Sequence, residues 1–320
     1  MRKFVLGIDV GGTNTEFAIV DDEGSIVDSY NVSTRCCETF DVYISMIGDG
    51  ILDMIARNGL IDKVEKIGVG APNANFFSGT IENAPNLLWK GILPFAEMLT
   101  EKTRIPVVLT NDANAAAIGE HVFGGAKNMS DFILVTLGTG LGSGFFCDGK
   151  LVYGHDGFAG ELGHTLVETN NGRLCGCGRR GCLETYVSST GIVTTAIELL
   201  TQSKEYSVLK EIPSNQLTSL DVAKAASNGD AIAIMAFRHT GKMLAIALAN
   251  AVAVTSPEAI FLSGGLVKSG NLLFDPLIEC YNQCVLPLFK GKVQILPSLL
   301  LDKNTGLLGA AALALEYLDR

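Results

Sequence analysis

One arrangement occurs twice in this chain of 320 residues. A β-like run closes on a glycine turn, a second β-like run leaves it, and α and β signals follow. The first copy has Phe4–Val10, the turn Gly11-Gly12-Thr13, then β-like stretches at 16–20 and 25–31. The second has Phe132–Leu137, the turn Gly138-Thr139-Gly140-Leu141-Gly142, then 143–147, and Gly149 turns the chain into 151–153. The repeat is one of architecture, without obvious residue identity. A chain that restarts the same α/β pattern is expected to form two related α/β lobes with a cleft between them. The length fits about two domains. A hydrophobic fraction of 48% supplies ample core, and 36 glycines with only 7% aromatics suit α/β layers joined by tight turns.

The remaining elements are placed by periodicity and breakers. Residues 42–57 carry Ile44, Ile47, Ile51, Met54 and Ile55 on one helical face. A strand is expected at 66–70, a loop rich in Asn, Pro and Gly at 71–90, a helix at 93–102 and a strand at 106–110. Asn111-Asp112 opens a small-residue helix, 113–121, as an N-cap would. Further helices are expected at 187–200, 219–228 and 231–253, the last stopping before Pro257. The strand Ala259–Ser263 then ends in Gly264-Gly265, and 305–318 is strongly helical.

Residues 160–184, GELGHTLVETNNGRLCGCGRRGCLE, place Glu161 and His164 upstream of Cys175, Cys177 and Cys182 and close on Glu184. One histidine and three thiolates are a complete tetrahedral zinc set with no open position, which makes a zinc there structural. A redox group or inert thiols are the other readings of the cluster. Eight cysteines in 320 residues are too sparse for a secreted disulfide scaffold. The other five read as core or surface thiols. Glu161 and Glu184 exceed the zinc count and need another role.

A formal charge of −10 and the lack of a dense Lys/Arg run argue against a nucleic-acid surface. The apolar start of the chain is interrupted by Asp9 and glycines before a signal-peptide core forms. The longest apolar region, 243–254, contains Asn250 and is too short to span a bilayer. A cytoplasmic protein without membrane partner is the expectation.

Each glycine turn can serve as an ordinary hairpin or as an anion-binding concavity of backbone N–H groups. Neither is a P-loop, and a hairpin follows each where a dinucleotide fold would have a helix. Two such turns, each with a threonine, favour a polyphosphate held between them. Asp9 then sits near phosphate and a hard cation such as Mg²⁺, or is simply a strand-end carboxylate. Asp112 is either part of a helix cap or a general base for phosphoryl transfer.

These residues resemble the ROK family of bacterial sugar kinases and transcriptional repressors. The resemblance rests on IDVGGT at 8–13, NDANAAAIGE at 111–120, TLGTGLGSG at 136–144, GELGH at 160–164 and CGCGRRGCLE at 175–184. It implies a two-lobed actin/hexokinase-like (ribonuclease H-like) α/β fold with a duplicated βββαβα core and an interlobe cleft. The small lobe is expected at 1–111 plus 306–320, the large lobe at 112–305. It further implies ATP-dependent hexose phosphorylation. Asp9, Gly11, Gly12 and Thr13 match the first phosphate motif, and Gly138, Thr139, Gly140 and Gly142 the second. Gly264 and Gly265 match a pair beside the adenosine. Asp112 matches the catalytic base; Asn86, Asn111, Glu161, His164 and Glu184 match sugar-binding positions. His164, Cys175, Cys177 and Cys182 would hold zinc.

Two departures stand out. Asn14 occupies the place where members commonly carry Lys, and Ala71-Pro72-Asn73-Ala74-Asn75 replaces a usual Pro-Gly loop, while Ala84-Pro85-Asn86-Leu87 fits the pattern. The implied enzyme is a glucokinase using Mg²⁺ with ATP, in a homodimer. An N-acetylmannosamine or N-acetylglucosamine kinase is the alternative, and a sugar-sensing or transcriptional regulator is the reading from another class. DNA-binding members carry a helix-turn-helix domain ahead of the first turn, and no such domain fits before residue 7.

Overall fold

The structure is a computed structural model that describes residues 2–318; Met1, Asp319 and Arg320, the outer ends of the expected small lobe, lie outside the described residues. It divides into two compact units. One takes the chain through residue 129, then 144–160 and from 298 onward; the other takes 130–143 and 161–297.

The first unit begins with the meander β1 (Phe4–Val10), β2 (Asn14–Asp21) and β3 (Ile26–Ser33). Helix α1 (Phe40–Arg57) follows, capped by Thr39, and leads to β4 (Val64–Ala71). The expected loop 71–90 carries regular structure: β5 (Ala74–Asn75), β6 (Thr80–Glu82) and β7 (Ile92–Leu93) form a small antiparallel sheet. Helix α2 (Phe95–Thr103) therefore starts two residues later than expected. Pro94 explains the shift, because the residue before proline is pushed out of the α region and Leu93 stays extended. Strand β8 (Val107–Asn111) runs straight into α3 (Asp112–Phe123). The main sheet has the order β3-β2-β1-β4-β8, with β1, β4 and β8 parallel.

Strand β1 is buried on both faces, which accounts for its nearly unbroken apolar run. Leu6, Ile8, Phe17 and Ile19 pack with Tyr43, Ile47, Ile51 and Met54 of α1. On the other face Val5, Ala18 and Val20 pack with Leu307, Leu308, Ala311 and Ala314 of the final helix, Thr305–Glu316. Two glycines permit that docking. A Cβ on Gly7 would lie 2.5 Å from the Leu307 carbonyl oxygen, and one on Gly68 would overlap the Ala310 carbonyl.

The second sheet repeats the plan. It contains β9 (Phe132–Leu137), β10 (Leu141–Cys147), β11 (Lys150–Leu151), β12 (Ala259–Ser263) and β13 (Gln294–Pro297), in the order β11-β10-β9-β12-β13. Counting strands from one in each copy, both sheets read 3-2-1-4-5. The expected strand at 151–153 is only Lys150–Leu151. Among the helices, α4 (Ser189–Gln202), α5 (Ser219–Ser227), α6 (Ala231–Thr255) and α7 (Asn271–Cys284) belong to the second unit, and α8 is the final helix of the first. Helix α6 is long enough to cross a membrane by length and composition, unlike the shorter apolar stretch read from sequence. It packs against α4, α5 and α7 as the central helix of its unit. β13 and α7 carry weak signals: β13 ends on Pro297 at the sheet edge, where proline is tolerated, and Pro276 lies within α7.

Candidate active site and metal centre

In the first unit, Asp9 sits near the end of β1 with Glu16 as its cross-strand partner. Burial pushes its pKa up to about 6, with further contributions from the charges of Asp112 and Glu16. The following turn is tied from behind. Gly11 N–H donates to Asn14 O at 2.9 Å, Thr34 Oγ1 to Gly11 O at 2.8 Å and Arg35 Nε to Gly12 O at 3.0 Å. Gly12 is a close-approach glycine: a Cβ there would lie 2.9 Å from both the Cβ and the carbonyl oxygen of Asn86. Asn86 is thereby brought onto the first glycine turn. Arg35 is a cation at this turn that sequence reasoning missed. The clue was the hairpin, since Asn14 pairs with Ser33 and position 35 follows just beyond.

At the β8–α3 junction Asp112 is the first residue of the helix and Asn111 is its cap. The Asn111 side chain accepts from Ala113 N–H at 2.9 Å. Asp112 Oδ1 accepts from the same N–H at 2.8 Å, yet the residue remains exposed to solvent. The surrounding protein raises its pKa by desolvation, against the lowering effect of the Ala113 N–H. An accessible carboxylate that holds its proton more tightly than usual is a stronger base once ionised.

In the second unit, Gly138 N–H donates to Gly140 O at 3.0 Å and closes the second turn. Leu141 N–H donates to Glu184 Oε2 at 2.9 Å. Gly140 is a glycine because the Glu184 carboxylate occupies the space a Cβ would need. Thr190 Oγ1 donates to Thr139 O at 3.1 Å and Ser189 N–H to Gly138 O at 2.8 Å, so the start of α4 also holds the turn. Gly264 has φ +97° and lies against the Leu137 carbonyl; apart from the adjoining residues of the chain, nothing comes within 4 Å of a Cβ built on Gly138 or Gly265.

His164, Cys175, Cys177 and Cys182 offer four ligand atoms that all lie within 4.8 Å of one another. Zinc bonds of about 2.3 Å to sulfur and about 2.0 Å to nitrogen put tetrahedral ligands about 3.8 Å (S···S) and about 3.5 Å (S···N) apart. Cys177 and Cys182 sulfurs are 3.7 Å apart, and Cys175 Sγ is 3.6 Å from His164 Nδ1. The set fits a four-coordinate ion. All eight cysteines are free thiols in the structure. The Arg179 backbone N–H draws Cys177 down to about 6, against a smaller burial effect. Glu161 Oε2 lies 4.0 Å from His164 Nε2, close in space but beyond a direct hydrogen bond. Arg179 Nη2 donates to His164 O at 2.8 Å.

The expected site residues thus form two groups. The first unit assembles Asp9, Gly11, Gly12, Thr13, Asn86, Asn111 and Asp112. The second contains Gly138 to Gly142, Glu161, His164, Glu184, Gly264 and Gly265 together with the four-ligand centre.

Similarity to known proteins runs through the whole of this framework. The ROK family model matches residues 5–317. A glucokinase of Halalkalibacterium halodurans is 35% identical over 289 residues, covering 89% of this chain and 87% of that protein. A xylose repressor of Bacillus subtilis is 31% identical over 328 residues, covering 98% of this chain and 77% of the repressor. Among solved structures, a ROK family glucokinase from Streptomyces griseus in complex with glucose and AMPPNP is 32% identical, with a TM-score of 0.79 and coverage of 98% and 99% of the two chains. With both glycine turns, the Asn111-Asp112 junction and the His-Cys₃ centre in place, the chain belongs to the ROK family.

Proposed function

We propose that the protein is an ATP-dependent glucokinase that transfers the γ-phosphate to the 6-hydroxyl of glucose. The observation that carries the reading is Asp112: an accessible carboxylate with a raised pKa, at the start of a helix that Asn111 already caps. Similarity across nearly the full length of a kinase that binds glucose and AMPPNP supports it. Asp112 takes the proton of the attacking hydroxyl. Asn86, Asn111, Glu161, His164 and Glu184 hold the remaining sugar hydroxyls, and fixed groups of this kind convert binding into orientation.

The backbone N–H groups of the two glycine turns receive the phosphates. Asp9, facing the charges of Asp112 and Glu16, has the donor chemistry for a hard cation, which relieves that repulsion. Mg²⁺ bound there supplies charge neutralisation at the phosphate oxygens. The His164/Cys175/Cys177/Cys182 set holds a structural zinc that fixes the loop carrying Glu161 and Glu184.

ATP consumption should be measured against glucose, mannose, fructose and N-acetylhexosamines, for the wild type and Asp112→Ala. Turnover led by glucose and abolished in the variant, with sugar binding retained, is the expected result. Normal turnover by Asp112→Ala removes the base assignment; preference for an N-acetylhexosamine replaces the substrate. Sugar binding without turnover in the wild type favours the regulator reading, to which the repressor relatives point.

A further inference from the structure

The segment 83–91, which carries Asn86, is closed on itself. Asn83 N–H donates to Gly91 O at 2.9 Å, and Gly91 N–H returns to Asn83 Oδ1 at 3.2 Å. Trp89 anchors one side, its Nε1 donating to Glu38 O at 3.2 Å and its ring packed on Tyr43 and Phe40. Inside this ring the Lys90 ammonium donates to three carbonyls: Ala84 at 2.9 Å, Pro85 at 3.1 Å and Leu87 at 2.7 Å. An ammonium has three donors, and all three are used. The three carbonyls flank Asn86 on both sides, and Asn86 in turn rests on Gly12 of the first glycine turn.

We infer that Lys90 is a positioning residue: its ammonium clamps the loop so that Asn86 is presented in one orientation to the sugar. The inference rests on the reading of Asn86 as a sugar ligand. Three carbonyl oxygens converging on one point repel each other without a central cation, so removing the ammonium releases the backbone on either side of Asn86. The closure at Asn83/Gly91 and the Trp89 anchor remain, which confines the change to the loop. A point-like ammonium suits three converging acceptors; a planar guanidinium directs its donors along a fork and does not reproduce them.

The test compares wild type, Lys90→Met, Lys90→Arg and Leu88→Ala, the last altering an exposed side chain of the same loop. Hydrogen exchange at the backbone amides of residues 84 and 86–88 and the KM values for glucose and ATP are measured together, with thermal unfolding as the fold control. In Lys90→Met, exchange accelerates and the glucose KM rises by about tenfold, while kcat and the ATP KM change less than about threefold. Lys90→Arg resembles Lys90→Met, and Leu88→Ala resembles the wild type.

Unchanged exchange in Lys90→Met overturns the clamp, whatever the activity. Faster exchange with an unchanged glucose KM overturns its service to the sugar. Full recovery by Lys90→Arg overturns the ammonium geometry, and loss of kcat, both KM values and thermal stability together makes Lys90 merely structural. A wild type that turns over no sugar refutes the glucokinase reading instead, and exchange still decides the clamp.

Discussion

Gly140→Ala separates two reasons for a glycine in the second turn. A Cβ at 140 would lie 3.3 Å from Glu184 Cδ and overlap its Oε2. The carboxylate is the movable partner, and it must retreat by about 1 Å to restore ordinary contact. That stretches the 2.9 Å bond from Leu141 N–H beyond hydrogen-bonding distance. A hydrogen bond to a charged group contributes about 1.5–3 kcal/mol, so kcat/KM for glucose should fall by about 10- to 150-fold. Glu184 is only partly buried, which places the effect toward the lower end. The comparator is Gly138→Ala, whose Cβ meets nothing within 4 Å apart from the adjoining residues of the chain. That variant should fold normally and keep its glucose KM, yet raise the ATP KM, if the open space the added methyl enters receives phosphate as proposed. Steady-state kinetics with each substrate varied in turn measures both. Wild-type kcat/KM in Gly140→Ala, or an unchanged ATP KM in Gly138→Ala, would refute this account of the turn.

Asp112→Asn should lose turnover, and the acid limb of the wild-type kcat/KM profile should lie above the ordinary carboxylate range, because desolvation raises the pKa and the ionised form is the base; a limb at the ordinary carboxylate value counts against Asp112. Asp9 has a folded-state pKa of about 6 against 3.8, so its ionised form destabilises the ligand-free fold, fully above pH 6 and not at all well below 3.8. Asp9→Asn should therefore raise stability at pH 7.5, on the order of 3 kcal/mol, with the gain vanishing as pH approaches 4, and should abolish turnover; denaturant melts at both pH values decide it. Cys177→Ser should lower zinc from about one per chain in metal analysis and reduce glucose affinity, and full zinc content in this variant would dissolve the four-ligand centre.

Much of the fold was legible because the same local pattern appears twice and because buried parallel strands are written as apolar runs. The first strand, Phe4–Val10, and the strand Ala259–Ser263 have the bounds expected from sequence. What escaped notice depends on non-local partners. The short strands β5 to β7 exist because each pairs with another, and none has a periodicity of its own over two or three residues. The metal set was legible because its ligands lie within nineteen positions, His164 to Cys182, and the structure brings all four together. Arg35 and Lys90 were not legible as site residues. Their roles come from backbone carbonyls that only the folded turn and loop aim at them.

The loop 165–185, which carries three of the four candidate metal ligands, has an order that its sequence alone does not explain. Its sequence is dominated by Glu168, Asn170, Asn171, Arg173, Arg179, Arg180 and glycines, and apart from Cys175, Cys182 and Leu183 it buries little apolar surface, with Leu166 and Leu174 exposed. Cross-links replace the missing core. The His-Cys₃ centre would be one with zinc bound. Arg173 is the other, donating to Thr185 O at 2.7 Å, Gly191 O at 3.2 Å, Thr195 Oγ1 at 2.9 Å and the Glu198 carboxylate, with its guanidinium 4.5 Å over the Tyr186 ring. These two fasteners leave Glu184 between them, with Oε1 3.9 Å from Cys175 Sγ and Oε2 on Leu141 N–H of the second glycine turn. A carboxylate so placed transmits the order of the loop to the turn. A zinc held by this set would act through the fixed position of one side chain, with no open coordination site for chemistry at the ion.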